Sequence, residues 1–354
     1  MNPAFWSGKR VFLTGHTGFK GSWLALWLCR MGAVVHGFAL TPVTRQDLFE
    51  VARVSEGIEH QIGDVREAGT LLQAMRQFSP DVIFHLAAQS LVRRSYELPV
   101  ETYAVNVMGT VHVLEAARQV PSVRATIIVT SDKCYDNSET GRAFVETDPM
   151  GGRDPYSSSK GSAELATAAY ARSFFDPEKS GGSVASVRAG NAIGGGDWAQ
   201  DRILPDIFRG LLAGNEIVLR NPAAIRPWQH VLEPLSGYLS VAERLMRDGP
   251  LPWEAWNFGP NAESEQSVET IARLCCEAWG RPDAFRIVEV PGQAHEAGVL
   301  KLDSSKAHRM LGWKPRWNFE ETLARCVDWY RRFGAGEDIR AVTLEQIGAY
   351  DSLR

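Results

Sequence analysis

No apolar run in this chain of 354 residues approaches bilayer length. The longest, WLALWLC at 23–29, stops at Arg30, well short of the ~20 residues a membrane-spanning helix needs. Cysteine is scarce: Cys29, Cys134, Cys275, Cys276 and Cys326 make an odd count without zinc-type spacing, which argues against a disulfide framework and for a reducing compartment. An excess of one charge is lacking too. Lys plus Arg is 38 against 42 Asp plus Glu, a formal net charge of −4, so no global field draws the chain to nucleic acid or an anionic membrane. The N-terminus has no charged start followed by an apolar core, so no signal peptide is expected and the expected location is the cytoplasm. His85 reads as a strand-end core residue, and His230 and His295 have no partners at metal spacing, so no metal is expected. There is no internal repeat and no low-complexity segment.

What is present is 44% apolar and 23% charged residues, a globular composition. Unbroken Val/Ile/Leu runs at 10–14, 33–40, 81–87, 125–130 and 184–188 suit strands buried on both faces. Between the first of these lie helical patterns at 21–31, stopped by Gly32, and at 100–118. The alternation predicts an α/β fold, a Rossmann-type doubly wound parallel sheet with a smaller C-terminal substrate-binding lobe. The expected division is a dinucleotide-binding domain over 1–185, with strand contributions from about 184–190 and 255–260, and a substrate lobe over 190–354 with helices near 203–214, 232–248, 267–279 and 320–333.

Gly15, Gly18 and Gly21 follow the first strand and open the first helix. A pyrophosphate must approach the backbone there with no Cβ in the way, and the helix N-terminus supplies N–H groups and partial positive charge. Strand, turn and helix in that order read as a dinucleotide site rather than an ordinary glycine turn. The acid that usually marks an NAD site about 20 residues on is missing near 39–41. Arg45 nearby is a candidate for a 2′-phosphate contact, although a solvated loop cation is the commoner role. Asp64 either meets the adenine edge or caps the next helix.

Tyr156 and Lys160 stand four apart at the start of a helical pattern over 157–173, on one face. A free phenol is a poor base; a neighbouring ammonium and a cationic nicotinamide both favour the phenolate, which then takes a hydroxyl proton while its carbon gives up hydride. The 125–130 strand ends in Ser131, Asp132 and Lys133, where ligands of such sheets bind. They offer one hydrogen-bonding hydroxyl and two proton-transfer groups; the alternative is a turn in which Asp132 caps a loop and Lys133 is solvated.

Taken together these motifs resemble the extended short-chain dehydrogenase/reductase family. The opening at 14–23, the TSDKCY run at 130–135, RAGNAIGGGDW at 188–198, RPWQHV at 226–231, and His295-Glu296 with LKLD at 300–303 narrow the likeness to its CDP-sugar 4,6-dehydratase branch, over nearly the whole chain. Related dTDP-glucose enzymes carry Asp-Glu where this chain has Asp132-Lys133. The resemblance implies NAD, CDP-glucose as small-molecule substrate, and a homodimer or higher homo-oligomer built on the helices at 100–118 and 156–173. It implies Tyr156 and Lys160 at the C4 hydroxyl, Ser131 on the C4 oxygen, Asp132 as acid to the leaving C6 hydroxyl, and Lys133 as base at C5 or as support for the enolate charge. Cofactor contacts are expected from Thr14, Gly15, Thr17, Gly18, Phe19, Lys20, Gly21, Asp64, Val65, Leu86, Ala87, Ala88, Tyr156 and Lys160. Substrate contacts are expected from Gln89, Asn191, Arg202, Arg220, Arg226 and His295, with Arg226 as bidentate donor to the substrate pyrophosphate. A surface ion pair is the competing role for Arg226, and Trp198, Trp228 and Trp253 could stack on ligand or only pack. Three other readings compete: a nucleotide-sugar 4-epimerase, which needs no acid and base beside Ser131; an NADP-dependent reductase; and a non-catalytic NAD(P)-binding regulator, which could dispense with the Tyr–Lys pair.

Overall fold

The computed structural model describes residues 2–137, 141–175, 182–288 and 300–353. Strand β1 (Arg10–Thr14) leads through the glycine turn into helix α1 (Phe19–Arg30), and Gly32, at φ +81°, turns the chain into β2 (Val34–Ala39). There follow β3 (Glu59–Ile62), α2 (Ala68–Phe78), β4 (Val82–His85), α3 (Gly109–Gln119), β5 (Ala125–Val129), α4 (Pro155–Phe174) and β6 (Ser183–Ala189). Next come α5 (Ile203–Ala213), α6 (Leu232–Arg247), β7 (Glu254–Phe258), α7 (Val268–Trp279), α8 (Phe319–Gly334) and α9 (Ile339–Ser352). The seven strands form one sheet in the order β7-β6-β5-β4-β1-β2-β3, every neighbouring pair parallel. This is the expected doubly wound Rossmann arrangement, with the order reversing between β1 and β4.

Alternate strand residues enter two cores, the period-2 consequence of the pleat. Val11, Leu13, Val82 and Phe84 pack with the Trp23–Leu28 stripe of α1, with α6 and with the aromatic residues of α8 and α9. Phe12, Ile83 and Ile128 pack on the opposite face with Leu71 and Met75 of α2, Val113 and Leu114 of α3 and Ala171 of α4. Among the elements not expected are β3, α2 and α9. Strand β3 reads EHQI and is an exposed edge, so it carries no apolar run. Helices α2 and α9 are short amphipathic stretches whose apolar faces acquire meaning only from the core they cover.

The helix expected at 100–118 runs without a gap over 99–119 and carries a π turn at Ala104–Met108 between Pro99–Tyr103 and α3. The π turn sets Asn106 inward: its amide donates to the Gln89 carbonyl and to Ser159 Oγ, both at 2.9 Å, and accepts from the Gln89 N–H at 2.8 Å. A helix defect of this kind commonly marks a functional site, and here it ties the loop after β4 to α4.

Candidate active site

The carboxyl ends of β1, β4, β5 and β6 open into one cavity of about 950 Å³, near the upper end for small-molecule sites. Its floor is the glycine turn. Gly15 has φ +77°, and a Cβ on it would lie 2.6 Å from the Ala87 nitrogen. A Cβ on Gly21 would lie 2.1 Å from the Gly15 carbonyl oxygen. Nothing larger than hydrogen fits either place, so the turn lies flat against the end of β4 and leaves the N-terminus of α1 bare. That is a cradle a dinucleotide pyrophosphate fits. Thr17, Gly18, Phe19, Lys20, Asp64, Val65, Leu86, Ala87 and Ala88 line it as well. Thr14 stands behind the wall: its hydroxyl bonds His85 Nδ1 at 2.7 Å and accepts from the Ala87 N–H at 3.2 Å. Asp64 accepts from the Arg66 backbone N–H at 2.9 Å and pairs with its guanidinium, which holds the carboxyl below its usual range. The carboxylate thus makes a turn just before α2, whose N-cap is Glu67, and still faces the cavity.

The chemical groups come together where β5 meets α4. Asp154 caps α4, accepting from the Ser157 N–H at 2.9 Å, and Pro155 follows at the first helical position. The helix therefore starts in a set place and turns Tyr156 and Lys160 inward, both buried. Lys160 Nζ donates to the Val129 carbonyl at 3.3 Å. At the end of β5, Ser131 caps a single turn over Asp132–Cys134, with its Oγ accepting from the Lys133 N–H at 3.2 Å and donating to Asp132 Oδ1 at 2.9 Å. The Ser131 hydroxyl stands near enough to the Tyr156 phenol to favour its ionised form. Gly190 makes room for Asp132, since a Cβ there would come within 2.8 Å of Oδ2.

Burial dominates the electrostatics. It pushes the Tyr156 phenol up to about 12, the opposite of the lowering the Tyr–Lys spacing suggests; the Ser131 hydroxyl lowers it less than burial raises it. It brings Lys160 down to about 8, with Lys20 as second cause, and Lys20 down to about 8, with Arg202 as second cause. It raises the Asp132 carboxyl against the pull of Lys133, Ser131 and Lys20. A raised carboxyl is one that can carry a proton to a leaving group. Lys133 is half-buried on the cavity wall beside it.

Behind this cluster lies a network that the sequence did not disclose. Glu164 of α4 accepts from Arg188 Nε and Nη2 at 2.8 Å, from Ser186 Oγ at 2.7 Å and from Thr130 Oγ1 at 2.5 Å. Arg188 donates onward to the Tyr135 hydroxyl at 2.6 Å, which donates to Asn257 Oδ1 at 2.7 Å. Both charged side chains are about 1% exposed. The network joins α4, β5, β6 and β7 on either side of the Ser-Asp-Lys turn.

Asn191, Arg202, Arg220 and Arg226 line the outer half of the cavity. Arg202 bonds Asp197 at 3.2 Å and Ser90 at 3.3 Å; Arg220 bonds Asp201 at 3.3 Å. Arg93, which periodicity did not single out, reaches Asp201 at 2.9 Å. Gln89 is not on the wall: its side chain is used on Leu91 and Thr102. Of the tryptophans, Trp228 lines the cavity, whereas Trp198 packs on Tyr330 and Phe333 and Trp253 lies under Arg172. His295 and Glu296 lie outside the described residues. His85 and His230 are buried in the core and held near 3 by desolvation.

Residues 12–326 match the family model described as GDP-mannose 4,6 dehydratase. A CDP-glucose 4,6-dehydratase of Salmonella typhimurium is 52% identical over 355 residues, covering 99% of each chain. Among solved structures, a dTDP-glucose 4,6-dehydratase of Streptomyces venezuelae with NAD bound is 25% identical with a TM-score of 0.78, covering 94% of this chain and 99% of that one. A UDP-glucose 4-epimerase of Thermus thermophilus in complex with NAD is 25% identical with a TM-score of 0.77, covering 91% and 99%. Dehydratases and epimerases thus share this fold, and the sequence match selects between them: the chain belongs to the nucleotide-sugar 4,6-dehydratase family represented by that model.

Proposed function

We propose that the chain is a CDP-glucose 4,6-dehydratase that uses NAD and yields CDP-4-keto-6-deoxyglucose and water. The observation that carries this reading is the buried Asp132, with the half-buried Lys133 next to it, beside Ser131 and Tyr156 on the wall of a dinucleotide cavity. An epimerase releases no water and has no use for that second acid–base pair. NAD, when bound, accepts a hydride from sugar C4 and gives it back at C6, so no coenzyme is consumed.

The chain's own groups move the protons. Tyr156, as phenolate, takes the C4 hydroxyl proton, with Lys160 and the cationic nicotinamide opposing the effect of burial on the phenol. Ser131 orients the C4 oxygen. The C4 ketone acidifies C5, and Lys133 takes that proton as the C5–C6 double bond forms. Asp132 donates its proton to the departing C6 hydroxyl, which leaves as water. After hydride return to C6, Lys133 gives its proton back to C5. Tyr156 has then gained one proton and Asp132 has lost one, and Ser131, which is hydrogen-bonded to Asp132 and stands near the Tyr156 phenol, is the route that restores the balance. Gly15, Gly18, Gly21 and the N-terminus of α1 hold the cofactor pyrophosphate; Arg226, Arg220, Arg202 and Asn191 serve the substrate. On this reading residues 1–185 with β6 and β7 form the cofactor unit and 190–354 mainly the substrate lobe.

The protein acts as a homodimer in the cytoplasm. Val100 (81% exposed), Met108 (48%), Leu165 (62%) and Phe174 (48%) stud the outward faces of the 99–119 segment and α4, more apolar surface than a free helix pair normally shows. The five cysteines are unpaired, and no helix among the described residues is long and apolar enough to cross a membrane.

The test is to incubate the protein separately with CDP-glucose, dTDP-glucose, GDP-mannose and UDP-glucose in ordinary and deuterated water. Loss of one water from CDP-glucose, deuterium at C5 and no net coenzyme use are expected. An isomer of unchanged mass would establish the epimerase instead.

A further inference from the structure

Two guanidinium groups from distant parts of the chain converge on one oxygen at the mouth of the cavity. Arg93, on the short helix Val92–Glu97, donates to Asp201 Oδ1 at 2.9 Å, and Arg220, just past the strand Ile217–Leu219, donates to the same atom at 3.3 Å. All three residues line the cavity, and all are 40–47% exposed there. Asp201 is also one of three non-glycine residues at positive φ among the described residues, at +57°. It stands directly before Arg202, the N-cap of α5, in a loop that Asp197 pins from within by accepting from the Ala199 N–H at 3.1 Å and from Arg202 at 3.2 Å. The carboxylate therefore sits at the loop's outer edge, holding two cations at once; Asp206, also on the cavity wall, attracts Arg220 without a direct bridge to it.

We propose that Asp201 is an internal stand-in for a phosphate oxygen: it holds Arg93 and Arg220 together in the free protein and gives way when the pyrophosphate of the substrate takes its place. Arg93 is then a substrate ligand and Asp201 a brake on substrate affinity. Guanidinium groups accept phosphate and carboxylate in the same fork geometry, so the exchange leaves both arginines with an anionic partner. A dianionic pyrophosphate offers them more oxygens and more charge than a single carboxylate does. Since both bridges are solvent-exposed they are weak and salt-screened, and displacement is easy. The proposal rests on the nucleotide-sugar reading above but not on the identity of the base.

The experiment uses the NAD-saturated protein, so that the cofactor's own pyrophosphate cradle is filled. CDP, UDP and inorganic pyrophosphate are titrated calorimetrically into wild type, Asp201→Asn, Asp201→Gly (which accepts the positive φ) and Arg93→Met. Asp201→Asn and Asp201→Gly should each bind all three anions about 3- to 10-fold more tightly, the worth of two surface ion pairs, and lower KM with kcat unchanged. Arg93→Met should bind all three about 10-fold more weakly. If removing the carboxylate weakens binding or leaves it within 2-fold, Asp201 stays with the arginines in the complex and the proposal fails. If the anions tighten alike but CDP has no advantage over UDP, the brake stands and the assignment of the base falls.

Discussion

Tyr156 and Lys160 show burial working on two groups in opposite directions. The phenol is pushed up to about 12 and the ammonium down to about 8, so at neutral pH the free protein keeps a neutral phenol and a lysine not far from losing its proton. Tyr156→Phe should lower kcat by roughly 10³-fold with little change in KM, the range expected for loss of a general base; steady-state assay with CDP-glucose checks it, and a change below 10-fold would remove Tyr156 from the proton transfer. Asp132 and Lys133 separate by what each variant still does. Asp132→Asn should still oxidise C4 but not expel water, so reduced cofactor accumulates at 340 nm in a single turnover. Lys133→Ala should stop exchange of the C5 proton with deuterated solvent, whereas Lys133→Glu should keep part of the activity because a carboxylate can also act as base. Wild-type exchange in Lys133→Ala would take Lys133 out of that role.

The glycine turn and the start of α4 are both set by backbone geometry. A methyl group on Gly21 would meet the Gly15 carbonyl at 2.1 Å, a backbone atom that can yield only by lifting the whole turn. Gly21→Ala should therefore weaken NAD binding by at least about 100-fold while leaving the far half of the sheet folded, read by calorimetric titration and by circular dichroism. This element was legible in sequence because local order, strand then GxxGxxG then apolar helix, is enough to specify it. The π turn at Ala104–Met108 was not, since its cause lies elsewhere: Asn106 answers to Gln89 and Ser159, residues 17 and 53 positions away.

At the scale of the molecule, buried titratable groups make stability depend on pH. His16, His85 and His230 are each held near 3 by burial, below the 6.5 of an unfolded histidine. The folded state thus binds fewer protons, and their contribution is complete above pH 6.5 and lost as pH falls toward 3. Glu233 opposes them. Burial raises it to about 7, against the pull of the Tyr350 hydroxyl and the Trp317 and Arg316 N–H groups that donate to it, so its contribution is complete below about 4.5 and lost as pH rises through 7. Between pH 7 and pH 5 the three histidines forfeit about 2 kcal/mol each and Glu233 returns about 2, a loss of about 4 kcal/mol from these four groups. The urea midpoint should fall accordingly; equal midpoints at pH 5 and pH 7 would contradict these assignments. If the exposed helix faces meet in a dimer, Leu165→Lys should yield a monomer by light scattering.

Sequence alone determined the parallel sheet, the phosphate turn and the spacing of the Tyr–Lys and Ser-Asp-Lys motifs, because each is written in a few consecutive residues through period, conformational need or chemistry. It did not show what depends on how side chains are placed once the chain has folded. Gln89 is polar and next to the cavity, yet its hydrogen bonds are used by Leu91 and Thr102. Arg93 carried no signal in the sequence, because its partner Asp201 lies 108 residues later. The sign of the Tyr156 shift also belongs to the tertiary structure: charge neighbours can be read from spacing, but desolvation, the larger effect here, exists only once the chain has closed around the group.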